Sequence, residues 1–128
     1  MKLLNELEFD EKGLIPAIIQ DASDGQVLTL CHMNREAVAK TLETGLIHVF
    51  RRSQGRVMLK GETSGMTQAV TEVYYDCEGN SLLFKVAPKG AACAHGYKTC
   101  YYRRYDIHAD ATTTMGKPLF DPKKVYGQ

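Results

Sequence analysis

Apolar and polar positions divide the chain into short runs separated by glycine-containing turns. Leu14-Ile15-Pro16-Ala17-Ile18-Ile19-Gln20 is an extended apolar run that gives way to the turn formers Asp21-Ala22-Ser23-Asp24-Gly25, and residues 26–32 resume the extended pattern. That order predicts a hairpin. Asn34 predicts a helix start, since its side-chain oxygen can accept from a free backbone N–H of the first turn. The helix runs over 35–43, with Ala37, Val38, Thr41 and Leu42 on one face and Gly45 as its stop. Further extended segments are predicted at 47–50, 57–59, 67–75 and 81–86. Val70 and Val73 among polar neighbours fit a strand with one wet face. The stretch from Ala109 to Gln128, rich in Thr, Lys and Pro, has little periodicity and predicts a surface-wrapping tail. Together these elements predict an α+β fold: one compact, strand-rich, barrel-like domain over residues 1–128 with one or two helices.

Composition narrows the function classes. At 128 residues the chain can bury a core without disulfides or a second module. With 24% charged residues and a formal net charge of +1, no whole-chain field points to nucleic acid or an anionic membrane, so neither is expected as a partner. Residues 1–16 carry Glu6, Glu8, Asp10 and Glu11 and lack a long apolar stretch, which predicts a cytoplasmic protein. Thiols stay reduced there, so the four cysteines read as metal ligands or buried apolar groups rather than disulfides.

Three of the four cysteines carry the candidate chemistry. Cys93 and Cys100 are separated by Ala94-His95-Gly96-Tyr97-Lys98-Thr99, and Cys77 precedes them at the end of a predicted strand. That spacing is not a zinc finger. Three thiolates without an evident fourth protein ligand describe an open zinc-type site, in which a water fills the last position and becomes acidic enough to attack an electron-poor carbon. The alternative is that Cys77 and Cys93 are core residues and Cys100 caps a strand. Cys31, inside the apolar run after Val27, is read as core. Asp76, Glu78 and Asn80 alternate around Cys77, so in extended geometry their oxygens would face away from the thiol and suit a second, harder ion. A plain β-turn is the competing interpretation of the same residues.

A basic cluster follows the helix. Arg51, Arg52, Ser53 and Arg56 precede Lys60-Gly61-Glu62-Thr63-Ser64-Gly65. Cationic side chains beside hydroxyls and glycines can cradle a phosphate, with a solvated basic turn as the alternative. Neither a Walker motif nor a GxGxxG is present.

Read in order, Gly13-Leu14-Ile15-Pro16-Ala17 with Gln20-Asp21, Met33-Asn34-Arg35-Glu36-Ala37, Lys60 to Gly65, Asp76-Cys77 and Cys93 to Arg103 resemble the phosphoribosyl-AMP cyclohydrolase family of histidine biosynthesis. The resemblance spans residues 13–104. It implies a homodimeric hydrolase that opens the adenine ring of phosphoribosyl-AMP between N1 and C6, with zinc-bound hydroxide attacking C6. It also implies zinc on Cys77, Cys93 and Cys100, and magnesium on Asp76, Glu78 and Asn80. His95 and His48 would be the acid–base groups, and Arg51, Arg52, Ser53, Lys60, Thr63 and Ser64 the phosphate-binding set.

The chain departs from the family pattern in three places. Glu78 and Asn80 stand where the family usually has aspartates, which removes one formal charge from the magnesium set. Cys93-Ala94-His95-Gly96 moves the histidine one position from the usual Cys-His-Thr-Gly. The family's tryptophan-rich stretch is missing, leaving Tyr97, Tyr101 and Tyr102 as candidate stacking partners for a purine. These departures keep two alternatives open: a divergent paralogue acting on another purine-like cyclic amidine, and a non-catalytic zinc-stabilised interaction domain.

Overall fold

A computed structural model describes residues 1–126. The predicted hairpin forms from β1 (Ile15–Asp21) and β2 (Val27–Met33), paired antiparallel with Ala17 opposite Cys31. Helix α2 (Arg35–Thr44) starts and stops where the sequence signals it. The Asn34 side chain accepts from Ala37 N–H at 2.8 Å, and Gly45, at φ +74°, returns its N–H to the Thr41 carbonyl at 2.9 Å. A short α1 (Lys2–Glu6) precedes the hairpin, giving three helices among the described residues with α3 (Pro122–Tyr126).

β3 (His48–Arg51) and β4 (Arg56–Leu59) make a second hairpin, followed by β5 (Gln68–Tyr75) and β6 (Leu82–Pro88). The central sheet has the order β2-β1-β6-β5, and β1 runs parallel to β6 while its other ladders are antiparallel. Ile15, Ala17 and Ile19 of β1 point inward with Leu82, Phe84 and Val86 of β6. Ala37 and Val38 of α2 cover them together with Ile47 and Val49, so one face of the sheet is the core.

A barrel was expected, and the sheets do not close into one. β3–β4 and the late hairpin of β7 (Arg103–Asp106) and β8 (Ala111–Thr114) are separate two-stranded ladders. Among the described residues, the isolated bridge between Leu46 and Ala69 is the one ladder contact that joins the β3 side to β5. The late hairpin takes up residues 109–114 of the expected aperiodic tail, whose last two residues, 127 and 128, lie outside the described residues. Its β8 is exposed at every residue, so no buried face imposed a period of two on the sequence.

Candidate active site

The loop after β6 is built around the sequence Cys93-Ala94-His95-Gly96. Gly96 N–H donates to the Cys93 carbonyl at 2.9 Å and Cys93 N–H to the Tyr97 carbonyl at 3.2 Å, a tight turn that pushes Ala94 and His95 into solvent. Gly96 has φ +94°, and a Cβ there would stand 2.5 Å from the Phe120 carbonyl oxygen, so the turn requires glycine. The far end of the loop is tied to β2. Cys100 N–H donates to the Leu28 carbonyl at 2.7 Å and the Thr99 hydroxyl to the Val27 carbonyl at 2.8 Å. The Lys98 ammonium pairs with Asp21 at 3.3 Å and with Asp24. From the other side, Lys60 Nζ donates to the Ala92 carbonyl at 3.1 Å.

These tethers bring two of the three predicted thiols together. Cys93 is buried, Cys100 is half-buried, and their side chains adjoin. Cys93 Sγ accepts the His95 backbone N–H at 3.4 Å and lies 3.8 Å from His95 Nδ1. Burial pushes the Cys100 thiol above its ordinary pKa, opposed by the hydrogen bond with Thr29, reinforced by Cys93, and opposed again by the Lys60 ammonium. Cys31 packs against the core and faces the same neighbourhood. Burial raises its thiol to about 12, Lys60 pulling down and Cys100 pushing up.

Cys77 stands apart. It is exposed in the turn between β5 and β6, which rests on the N-terminal segment through Glu8 N–H and the Gly79 carbonyl at 2.7 Å. The cysteine loop is bonded instead to Leu28 and Asp21, at the opposite end of β1. Among the described residues no group of three or more His, Cys, Asp or Glu side chains stands close enough to hold a metal. Convergence of Cys77, Cys93 and Cys100 is therefore not reached within one chain.

Residues 76–81 are a turn, not the extended run that would alternate oxygen and thiol donors. Asp76 Oδ1 accepts from Asn80 N–H at 2.9 Å and from Ser81 N–H at 3.3 Å. With the Asn80 amide nitrogen turned toward it, Asp76 Oδ2 lies 2.7 Å from that nitrogen. Desolvation pushes the Asp76 carboxyl up, yet the hydrogen bonds from Asn80, Ser81 and Gly79 outweigh it and leave the group below 3.8. Both oxygens thus serve the turn, while Glu78 is exposed to solvent.

The predicted phosphate set is partly assembled. Arg51, Arg52, Ser53 and Lys60 line a cleft of about 460 Å³. Cys31, His32, Val49 and Phe50 complete it, and sequence reasoning did not place Cys31 or His32 at the site. Their signal was available, since both lie near the end of β2, just ahead of the helix cap at Asn34. Thr63 is exposed, and Ser64 Oγ accepts from Met66 N–H at 3.1 Å, so these hydroxyls belong to the adjoining turn. His48 is half-buried, with Nδ1 2.9 Å from the Leu46 carbonyl. A carbonyl only accepts, so Nδ1 is the donor in this contact.

Comparison with known proteins agrees with the resemblance. The family model for phosphoribosyl-AMP cyclohydrolase matches residues 29–102. A phosphoribosyl-AMP cyclohydrolase from Pelotomaculum thermopropionicum is 47% identical over 125 residues, covering 98% of this chain and 96% of that protein. One from Methanothrix thermoacetophila is 44% identical over 124 residues, covering 97% and 98%. The histidine biosynthesis bifunctional protein HisIE from Caldanaerobacter subterraneus is 52% identical over 118 residues, 92% of this chain but 58% of the longer relative. On these matches, the chain belongs to the phosphoribosyl-AMP cyclohydrolase family of enzymes.

Proposed function

We propose that this protein hydrolyses the N1–C6 bond of the adenine ring of phosphoribosyl-AMP in histidine biosynthesis, with residues 1–128 acting as one unit and two copies forming the working enzyme. The Cys93–Cys100 pair carries the proposal, because the two soft donors adjoin and Lys60, which lines the cleft with Arg51 and Arg52, donates to the Ala92 carbonyl next to Cys93. Cys93 and Cys100 would hold zinc, with the third thiolate supplied by the partner subunit's Cys77. In support, Cys77 is exposed and the outer face of the sheet carries an apolar row. Leu30, Ile18, Leu83 and Tyr74 stand side by side across β2, β1, β6 and β5, and Leu30, Ile18 and Tyr74 are 48%, 38% and 46% exposed. An exposed apolar sheet face is a surface that a second copy can cover.

Zinc would supply the Lewis acidity that lets water attack C6 near neutral pH. Arg51, Arg52 and Lys60 would hold one phosphate by charge, with a hydroxyl donor from Ser53 in the same cleft and those of Thr63 and Ser64 in the adjoining turn. Water adds to C6, the C6–N1 bond breaks, and a proton must reach N1. His95, exposed beside Cys93, would move that proton; His48 Nε2 is the second candidate. Asp76, Glu78 and Asn80 would hold magnesium, since a carboxylate that accepts turn hydrogen bonds can still ligate a cation, and no step is routed through it.

Zinc-loaded protein incubated with phosphoribosyl-AMP is expected to give the ring-opened carboxamide, and Cys93→Ser to abolish its formation. Metal-loaded protein without turnover would overturn the proposal.

A further inference from the structure

Phosphoribosyl-AMP carries a phosphate on each of two ribosyl groups, and the reacting ring lies between them. A site for it therefore needs two cationic subsites on either side of the reactive groups. The cleft with Arg51, Arg52 and Lys60 accounts for one of these.

On the other side of the cysteine loop lies a larger cleft of about 590 Å³, a size that suits a small ligand. The late hairpin forms its outer wall. Met115 N–H donates to the Tyr102 carbonyl at 2.6 Å and Leu119 N–H to the Gly96 carbonyl at 2.7 Å, so residues 103–119 fold back onto the loop that holds Cys93 and Cys100. The floor is aromatic: Tyr97 and Tyr102 stack with centroids 3.8 Å apart and planes 7° from parallel. Tyr101, 58% exposed, adds an open ring face.

Four cations line the cleft: Lys98, Arg103, Arg104 and Lys117. Lys98 is committed to Asp21 and Asp24. Among the described residues the other three have no acidic partner, and the Arg103 guanidinium sits 5.4 Å over the Tyr102 ring. The nearby acids are engaged elsewhere. Asp106 caps its own turn through His108 and Ala109 N–H groups, and Asp110 accepts from the Tyr105 hydroxyl. Three unneutralised cations around one cleft repel one another unless an anion joins them, and arginine forks match phosphate oxygens.

We infer that this cleft is a second phosphoribosyl subsite, in which Arg103, Arg104 and Lys117 bind the phosphate and Tyr101 packs against the sugar. The assignment rests on phosphoribosyl-AMP as the substrate. It places the two phosphates on opposite flanks of the Cys93–Cys100 loop, with Lys60 on one side and Tyr101 on the other. Residues 49–53 of the β3–β4 hairpin contribute to the first flank, and Arg103, Arg104 and Lys117 of the second lie beyond the residues that the family model matches.

The test has two arms. Ribose 5-phosphate titrated into the full chain, followed by amide NMR shifts, is expected to move Arg104 and Gly116, and the double variant Arg104→Ala/Lys117→Ala to weaken that response about tenfold. Shifts confined to Arg51–Ser53, or unchanged in the double variant, would overturn the inference. In steady-state assays the same variant is expected to raise KM for phosphoribosyl-AMP about tenfold with kcat changed less than about twofold, as loss of uniform binding requires. An unaltered KM would overturn it as well. If the wild type shows no turnover, the substrate assignment falls, and the ribose 5-phosphate titration still decides whether the cleft binds a phosphoribosyl group.

Discussion

At the scale of single residues, the positions that matter most are those that fix the cysteine loop without touching substrate. Asp21 is 4% exposed and its carboxylate accepts from the Ser23 hydroxyl at 2.7 Å, the Ser23 N–H at 2.8 Å and the Lys98 ammonium at 3.3 Å. The Ser23 hydroxyl and N–H hold its pKa below 3.8 against the opposing effect of desolvation, and Lys98 adds to them. A carboxyl whose folded pKa is depressed gives stability above its unfolded pKa and loses it as pH falls through the folded value. Asp21→Asn is accordingly expected to lower unfolding free energy at pH 7 by about 1–3 kcal/mol. Urea unfolding should show the gap constant from neutral pH down to the ordinary carboxylate range and shrinking below 3.8. The local signals were legible at this scale: Asn34 and Gly45 mark the helix ends because capping needs only neighbours in sequence. That Asp21 holds Lys98 was not legible, since their pairing depends on how the loop returns to β1.

At the scale of elements, strands and the early hairpin could be read because each buries one face and so writes its period into the sequence. β1 alternates buried and partly exposed positions, whereas β8 is exposed throughout and left no trace. The parallel neighbours β1 and β6 were equally hidden, because nothing local specifies a partner so far along the chain. The turn at Lys60–Gly65 shows how an element can hold two functions in place. Gly61 has φ +91°, and a Cβ there would meet the Met66 carbonyl oxygen at 2.5 Å, an approach that backbone must yield to relieve. Gly61→Ala is expected to cost about 1–3 kcal/mol of stability and to loosen Lys60 from the Ala92 carbonyl. Thermal unfolding and KM should both move, whereas an unchanged melting curve would show that the turn relaxes freely.

At the scale of the whole molecule, the candidate site is divided. Two soft donors sit at one end of β1 and the third at the other, a separation that motif order could not reveal because order along the chain carries no distance. The resemblance supplied the identities of these residues, and the tertiary structure supplied their separation. The apolar row through Leu30, Ile18, Leu83 and Tyr74 is the surface proposed to bring two copies together. Ile18→Asp places a charge in the middle of that row. Light scattering should then report a monomer with retained helix and sheet content, and zinc stoichiometry should fall; a dimer that survives the substitution would remove this face as the interface.

The loop carrying Cys93 and Cys100 is fastened to partners 72 residues away, Thr99 to Val27, and 74 away, Lys98 to Asp24. Closing such long loops costs entropy before any contact rewards it. The first hairpin can form early during synthesis, but the thiol pair cannot take shape until residue 100 has emerged and docked. A nascent or truncated chain thus offers only scattered cysteines, and the thiol pair proposed to hold zinc comes together only after this long-range docking.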